Sequence, residues 1–427
     1  MALMQPPEQV VRLTRVLEDA GYEAWCVGGG VRDALLGIPN LDWDLTTSAK
    51  PQQVRRLFRR TIPVGIEFGT VGVLDDAGVM HEVTTFRADV ETDGRHAVVR
   101  FGDSLDEDLA RRDFTINAIA YSPSRDQLRD PFGGQSDIAT RTLRAVGIAK
   151  DRMREDRLRA LRAIRFAARF GFTMEQATWQ AIVSSAPHLQ RLSPERVQQE
   201  IVKTMRQVAR PSTAFRLWRD SGAIAELVPS LAGITDRELL ALDHLRLPLL
   251  GRRPQRLQAR LGGLFSAARP GTVLATLKAL RFSNADSSWI AALVELWHGM
   301  GHEMKQALMA AEPPSDAVLR GWAGRAGRTR LSALLRLADA HWWAERELGT
   351  AAPSRARVES VYRRAVRIAY RDPVSISDLA VNGDDLQKIG VAGKRLGDAL
   401  RSLLQYVLED PSRNTRDELL RRAAELS

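Results

Sequence analysis

The sequence predicts an α/β head over residues 1–145 followed by a long all-α remainder over 146–427. Three observations carry this reading. Up to residue 145, short apolar runs alternate with helical spacing and turn signals. From Lys150 onward the apolar residues keep helical spacing, as in Leu158, Leu161 and Ile164 with Ala160, Ala163, Ala167 and Ala168 between them. That spacing persists to the end and breaks near Arg210-Pro211-Ser212, Leu247–Pro254, Glu312-Pro313-Pro314-Ser315 and Thr350–Ser354, with no fixed-period repeat.

In the head, a helix over Glu8–Ala20 precedes a short strand, Ala24–Val27. The turn Gly28-Gly29-Gly30 follows, then a helix from Val31 to Leu36 stopped by Gly37 and Pro39. Asp42–Leu45 is the next strand, and Pro51 opens a helix ending near Arg60. Gly69–Leu74 and Val79–Phe86 are strands on either side of the turn Asp75-Asp76-Ala77-Gly78. Asp130-Pro131-Phe132-Gly133-Gly134 is a tight turn that closes the head.

A chain of 427 residues has room for about two to four domains. With 44% hydrophobic and 27% charged residues it is an ordinary globular chain, not a disordered one. The net charge of +10 favours a polyanionic partner, RNA or DNA first. A single cysteine, Cys26, excludes an internal disulfide and a multi-cysteine metal site. Met1-Ala2-Leu3-Met4-Gln5-Pro6-Pro7 has neither the charge nor the apolar core of a signal peptide. No run approaches the roughly 18 apolar residues of a membrane span. No membrane partner is therefore expected, and the expected location is cytoplasmic.

Asp42 and Asp44 in Leu41-Asp42-Trp43-Asp44-Leu45 are two apart. On a strand they share a face, where their repulsion calls for a cation. Hard divalent ions such as Mg²⁺ take such oxygens and leave room for substrate phosphates. The glycine turn upstream offers backbone N–H groups to a triphosphate. Arg32, in the first turn of the following helix, needs an anion there, and Asp33 either pairs with it or caps the helix. Glu82 shares a strand face with Met80, Thr84 and Phe86, so it is expected to be partly buried and to act as a third carboxylate. His81 points the other way and is structural. In Arg111-Arg112-Asp113-Phe114-Thr115-Ile116-Asn117, Arg112 beside Asp113 suggests a hydrogen-bonded support with one cation left for phosphate. On a helix from Arg154, Asp156 and Arg159 stand three apart and face the same way. A carboxylate accepts from an exocyclic amine and a guanidinium donates to ring acceptors, so the pair would choose C and A over G and U. Arg162 and Arg165 fan round the helix toward a triphosphate or RNA backbone.

Gly28-Gly29-Gly30-Val31-Arg32-Asp33, Asp42-Trp43-Asp44, Arg111–Ala118 and Glu155–Arg162, taken together, resemble the class II tRNA nucleotidyltransferase (CCA-adding) family. A weaker likeness continues through Leu192–Arg196 and Val381–Leu386. The resemblance implies a polymerase-β-like nucleotidyltransferase head (1–145) with an elongated all-α neck (146–215), body (216–350) and tail (351–427). It implies that Gly29, Arg32, Arg112, Asp156, Arg159, Arg162 and Arg165 meet the nucleotide, and that Asp42 and Asp44 hold magnesium. Glu82 remains an assignment from strand geometry. The implied reaction adds C, C and A to the tRNA 3′ end from CTP and ATP without a template, releasing pyrophosphate. A-only addition or poly(A) synthesis is the alternative, and RNA binding on an inactive nucleotidyltransferase fold is the non-enzymatic one. Val64–Thr70 looks like the CCA side rather than the poly(A) polymerase side, and Arg87–Phe101, with Asp93-Gly94-Arg95-His96, looks like a full-length flexible loop.

Many bacterial members carry a phosphohydrolase His-Asp pair after the neck. The equivalent Leu261–Ala267 lacks both residues, and Asp243-His244 is a poor substitute, so no such activity is expected. In the tail, Arg355, Arg357, Arg363, Arg364, Arg367 and Arg371 interleave with Tyr362 and Tyr370, and Lys388–Arg395 resembles a helix–hairpin–helix turn. Arg363, Arg364, Arg367, Lys394 and Arg395 are the expected RNA contacts. Trp342-Trp343 reads as core.

Overall fold

Helix α1 (Glu8–Asp19) buries Val10, Leu13, Thr14 and Leu17, the single stripe that its spacing dictates. It leads into strand β1 (Ala24–Val27), buried throughout. A computed structural model describes residues 4–39, 42–92, 97–102, 104–245 and 254–425. These form two compact units, one running to Val208 with Thr213–Pro229, the other made of Ala209–Ser212 and the chain from Ser230 onward.

In the first unit, helix α2 (Gly29–Leu35) starts at Gly29 rather than Val31, directly after the turn residue Gly28. Strand β2 (Asp44–Thr47) starts at Asp44, so Asp42 precedes the strand instead of lying on it. The cause is the partner. Antiparallel pairing sets Val27 opposite Asp44, and β1 ends there in the turn, so the ladder between the two strands stops at Asp44. Helix α3 (Pro51–Leu57) has Pro51 in its first turn but ends before Arg60. An unanticipated strand, β3 (Thr61–Gly65), takes up the following residues. It lies at the sheet edge, where Pro63 is tolerated.

Strands β4 (Thr70–Leu74) and β5 (Met80–Thr85) form the expected hairpin. Its turn is closed by Asp75 N–H to the Val79 carbonyl at 2.9 Å. In place of the expected loop, β6 (Arg87–Thr92) and β7 (Ala97–Phe101) pair as an antiparallel ribbon. Asp93-Gly94-Arg95-His96 lie outside the described residues. Helix α4 (Leu105–Ala110), strands β8 (Ala120–Ser122) and β9 (Gln127–Arg129), and helix α5 (Gly134–Ala139) complete the head.

The main sheet has the order β3-β4-β5-β2-β1-β8-β9. Only β2 and β5 run parallel, with Leu45 beside Val83. Cys26, Leu45, Val71 and Val83 therefore line up on one face, where they form a core with α1 and Trp43. The next row, Val27, Asp44, Glu82 and Gly72, falls on the opposite face. Period-2 alternation thus sends a row of core residues to one side and two carboxylates to the other.

The Asp130 turn caps α5, with Gly134 N–H donating to Oδ1 at 2.7 Å and Gln135 N–H to Oδ2 at 2.9 Å. A Cβ on Gly134 would overlap the Thr115 carbonyl and lie 2.8 Å from Ile119 Cγ1. Gly134→Ala is expected to cost ~1–3 kcal/mol or more of stability, because backbone has to move to admit the methyl group. An unchanged urea midpoint would overturn this.

The neck contributes α6 (Ala149–Glu155), α7 (Leu158–Phe170), α8 (Gln176–Ser185) and α9 (Pro194–Gln207). The helix expected to run unbroken from Arg154 is interrupted at Asp156, whose backbone is extended (φ −143°, ψ 106°).

The second unit is helical. Its core gathers Trp322, Trp342, Leu334 and Leu337 with residues of the long helices Asn284–Met309 and Arg328–Glu347. Trp342 is core as expected, and Trp343 stacks on His244 at 5.2 Å. Asp243 is buried and accepts from Ser212 N at 3.0 Å and Ser212 Oγ at 2.6 Å, while His244 Nε2 lies 2.9 Å from Asp339 Oδ2. Gly262 and Gly263 let the helix Pro254–Phe265 approach closely, since Cβ atoms there would lie 2.7 Å from Leu293 and 2.5 Å from Leu245. Among the described residues no helix is long and apolar enough to cross a membrane.

Candidate active site

The three glycines have separate duties. Gly28 turns the chain at φ 71°, and a Cβ there would lie 3.1 Å from Arg112 Nη1. Gly30 lies against Trp43, whose ring a Cβ would meet at 2.9 Å. Gly29 is not crowded in this way, and it borders the cleft described below.

Asp44 is half-buried, whereas Asp42 and Glu82 are exposed. Burial, then the charges of Asp42 and Glu82, push the Asp44 carboxyl up to about 6, against the opposing pull of Arg112. Glu82 does not have the partial burial expected of it. Its face of β5 is the open one, and His81, Val83 and Thr85 are the buried residues. His81 is structural, 3.2 Å from Asp75 Oδ2. Among the described residues no three His, Cys, Asp or Glu side chains are gathered closely enough to hold an ion.

Arg32 is buried. Its Nε and Nη2 donate to Asp33 Oδ1 at 2.8 and 2.6 Å, and its Nη1 to Asn117 Oδ1 at 2.6 Å. The guanidinium also lies over the rings of Phe166 and Phe170 at 5.2 and 4.8 Å. A guanidinium has five N–H donors, so three such bonds fix its plane without using all of them. Asp113 is not the partner of Arg112. It accepts from Asn117 Nδ2 at 2.9 Å and from Arg162 Nη2 at 2.8 Å. The partner of Arg112 is Asp108, fully buried on α4, which also holds Arg111 (2.8 Å) and receives the Thr46 hydroxyl at 3.3 Å. Burial works to raise the Asp108 carboxyl, but Arg112 and Arg111 override it and hold it below the usual carboxylate range. Arg112 Nη1 reaches the Asn117 carbonyl at 3.5 Å, a long contact that leaves this nitrogen available.

Asp156 and Arg159 meet through the backbone, Arg159 N–H donating to the Asp156 carbonyl at 3.0 Å, while their side chains take other partners. Asp156 lies between α6 and α7, with Oδ1 accepting from Leu158 N–H at 3.0 Å and Oδ2 from Arg196 Nη2 at 2.7 Å. Arg159 donates to Glu155 Oε2 at 2.6 Å and to the carbonyls of Arg152 and Arg111. Both residues nonetheless border the same cleft. Arg165 is buried and committed to Glu200 at 2.7 Å and Gln207 at 3.0 Å, with little surface left at the cleft wall.

This cleft, of about 570 Å³, is lined by Gly28, Gly29, Arg32, Asp44, Glu82, Arg112, Asp156, Arg159, Arg162 and Arg165. Asp42 is not on its lining and acts on it through its charge on Asp44. Lys203 and Gln207 from α9 also border it and were not anticipated, nor were Asp108, Glu200 and Arg196. Asp108 was within reach of sequence reasoning, because it stands three and four residues before Arg111 and Arg112. Arg196 ends the family-like segment Leu192–Arg196, and nothing local marks the other three.

In the tail, helix Arg355–Arg371 buries Val358, Val361, Ala365, Ile368 and Ala369. Arg363, Arg367 and Arg395 are exposed. Arg364 is tied to Asp316 at 2.7 Å. Tyr362 is half-buried against Ser332 at 2.7 Å, and Tyr370 is exposed. The helices Gly383–Lys388 and Lys394–Glu409 flank a turn shaped by Gly390 and Gly393 at φ 93° and 62°. The Lys394 side chain lies outside the described residues.

Residues 24–144 match the family described as the poly A polymerase head domain, and 171–234 match the probable RNA and SrmB-binding site of polymerase A. The CCA-adding enzyme of Geobacillus kaustophilus is 45% identical over 258 residues, 59% of this chain and 62% of its own length. That of Latilactobacillus sakei is 42% identical over 231 residues, 54% and 56% of the two chains. These matches therefore span a little over half the length of the curated relatives. The crystal structure of the Bacillus stearothermophilus CCA-adding enzyme in complex with CTP superposes with a TM-score of 0.76 at 33% identity, covering 99% of this chain and 98% of that one. With the head-domain match and a likeness that runs the length of both chains, this chain belongs to the family of CCA-adding nucleotidyltransferases.

Proposed function

We propose that the protein adds C, C and A to the 3′ end of tRNA from CTP and ATP, without a nucleic-acid template and with release of pyrophosphate, in the cytoplasm. A single observation carries this reading. One cleft is bordered by the strand carboxylates Asp44 and Glu82, by the Gly28–Gly29 turn, and by Asp156 and Arg159 of the neck. A bound nucleotide would meet phosphate-binding and base-reading groups at once.

The division of labour follows from the side chains. Gly29 backbone, Arg32 and Arg112 receive the triphosphate, with Arg162 supporting from the neck. Asp156 accepts from the exocyclic amine of cytosine or adenine, and Arg159 donates to the neighbouring ring acceptor once it leaves Glu155. Arg165, bound to Glu200, holds α7 against α9. Asp42 and Asp44 offer hard oxygen donors beside that triphosphate site, a set that fits magnesium, and the crowding of Asp44 by Asp42 and Glu82 is what a cation would relieve. When bound, the ion supplies Lewis-acid polarisation of the reacting phosphate and acidifies the attacking ribose hydroxyl. Head (1–145), neck (146–215), body (216–350) and tail (351–427) then divide chemistry, base selection and RNA grip. The exposed Arg363, Arg367 and Arg395 suit sequence-independent phosphate contact.

Incubating the chain with tRNA lacking its 3′ end, Mg²⁺ and each labelled nucleotide tests this. CTP and ATP should be incorporated, UTP and GTP should not, and chelation should stop the reaction. Incorporation of ATP alone would convert the reading to A-only addition. No incorporation would overturn it. Asp156→Ala is expected to lower the preference for C and A over U and G by about tenfold or more while leaving measurable transfer, since one good hydrogen bond to a charged group is lost. Unchanged selectivity would remove Asp156 from base reading.

A further inference from the structure

We propose that Arg196 is a positioning residue that sets nucleotide selectivity by holding the Asp156 carboxylate in its base-reading orientation. The inference rests on the base-reading role proposed for Asp156. Asp156 lies outside both α6 and α7, with extended backbone, so helix geometry does not aim its side chain. Two donors from separate elements aim it instead. Leu158 N–H binds Oδ1 at 3.0 Å, and Arg196 Nη2, from the first turn of α9, binds Oδ2 at 2.7 Å.

Arg196 is itself fixed from one turn further along α9. There Glu200 and Arg165 form an ion pair of 2.7 Å with side chains only 1% and 4% exposed. A buried pair of this kind is costly to break once formed, so α9 is anchored to α7 and Arg196 keeps its position. Arg196 does not line the cleft. It reaches Asp156 from outside the nucleotide's space, so its effect on the base passes through Asp156. A carboxylate has about four acceptor positions. With one taken on each oxygen by a fixed donor, the direction of the remaining positions is fixed too. An exocyclic amine fits them, and the carbonyl that uracil or guanine presents in its place is repelled. Arg159 provides no such restraint, being drawn to Glu155 and two backbone carbonyls.

The test compares Arg196→Ala, Arg196→Lys, Asp156→Ala and the Arg196→Ala/Asp156→Ala pair in the full chain, measuring kcat and KM for each nucleotide on tRNA lacking its 3′ end. Arg196→Ala is expected to raise KM for CTP and ATP, and to lower discrimination against UTP and GTP, by about tenfold each, as for loss of a charge-assisted hydrogen bond. The loss in kcat at saturating CTP should be much smaller. Arg196→Lys keeps the charge and should recover most of the discrimination, and the double variant should be no less selective than Asp156→Ala alone. If Arg196→Ala lowers thermal stability or kcat but leaves discrimination intact while Asp156→Ala destroys it, the positioning role is overturned and base reading by Asp156 stands. If Asp156→Ala leaves discrimination intact, base reading itself fails, and this inference with it.

Discussion

Asp44→Asn is expected to abolish nucleotide incorporation and, at the same time, to make the metal-free protein more stable. The loss of activity should be roughly a thousandfold or more, because the amide has neither the charge nor the paired anionic oxygens that the transfer site needs. The gain in stability follows from the environment of Asp44. Burial and the nearby Asp42 and Glu82 push its carboxyl up to about 6 in the folded state, from 3.8. An acid weakened by folding costs stability while it is ionised. The cost is therefore complete above the folded value and disappears as pH falls through 6 toward 4. At pH 7 it amounts to ~1–3 kcal/mol, since each tenfold weakening of an acid on folding corresponds to about 1.4 kcal/mol. Urea unfolding without divalent ions should find the variant more stable than the wild type at pH 7, with the gap closing by pH 4. Added Mg²⁺ should raise the wild-type midpoint and leave that of the variant nearly unmoved. A variant less stable at pH 7, or one that still incorporates nucleotide, would overturn the assignment.

The parts of this molecule legible in the sequence are those fixed by local pattern. Ala24–Val27 forms a strand with the expected bounds, the Asp75–Gly78 turn closes where it should, and the apolar stripe of α1 is buried as spaced. What escapes depends on partners distant in sequence. The start of β2 is set by where β1 ends, so no inspection of Asp42-Trp43-Asp44 alone would remove Asp42 from the strand. The alternation through Met80–Thr85 is legible, but which of its faces is covered is not. Met80 and Glu82 face outward, and the polar residues His81 and Thr85 sit on the buried side. The interruption at Asp156 is hidden inside a stretch with continuous helical character, because it is stabilised by Leu158 N–H and by Arg196, 40 residues away. Asp156 and Arg159 do reach one cleft, yet not as a carboxylate and guanidinium side by side on one helix, because the chain unwinds at the first of them.

Asp108→Ala should be the most destabilising single change at the site, and its pH behaviour should run opposite to that of Asp44. Asp108 has no exposed surface and accepts from Arg111, Arg112 and the Thr46 hydroxyl. Removing one partner of a buried ion cluster leaves the others uncompensated, at a cost of about 3–5 kcal/mol. Arg112 would lose the anchor that keeps it beside Gly28, so transfer should weaken even in the fraction that folds. Because Arg112 and Arg111 hold the Asp108 carboxyl below its usual range despite burial, its contribution is fully present above the unfolded-state value and is lost as pH falls through the lower folded-state value. Asp108→Asn, which preserves shape, is the better probe of that slope and should flatten the acid limb of the stability curve. On acidification from neutral pH, relief at Asp44 comes first, between 6 and 4, and loss at Asp108 follows only below the usual carboxylate range. The two variants should therefore alter separate portions of the wild-type profile. If Asp108→Asn instead leaves the acid limb unchanged, the carboxylate is not the anchor of the two arginines, and the preorganisation of Arg112 must come from elsewhere.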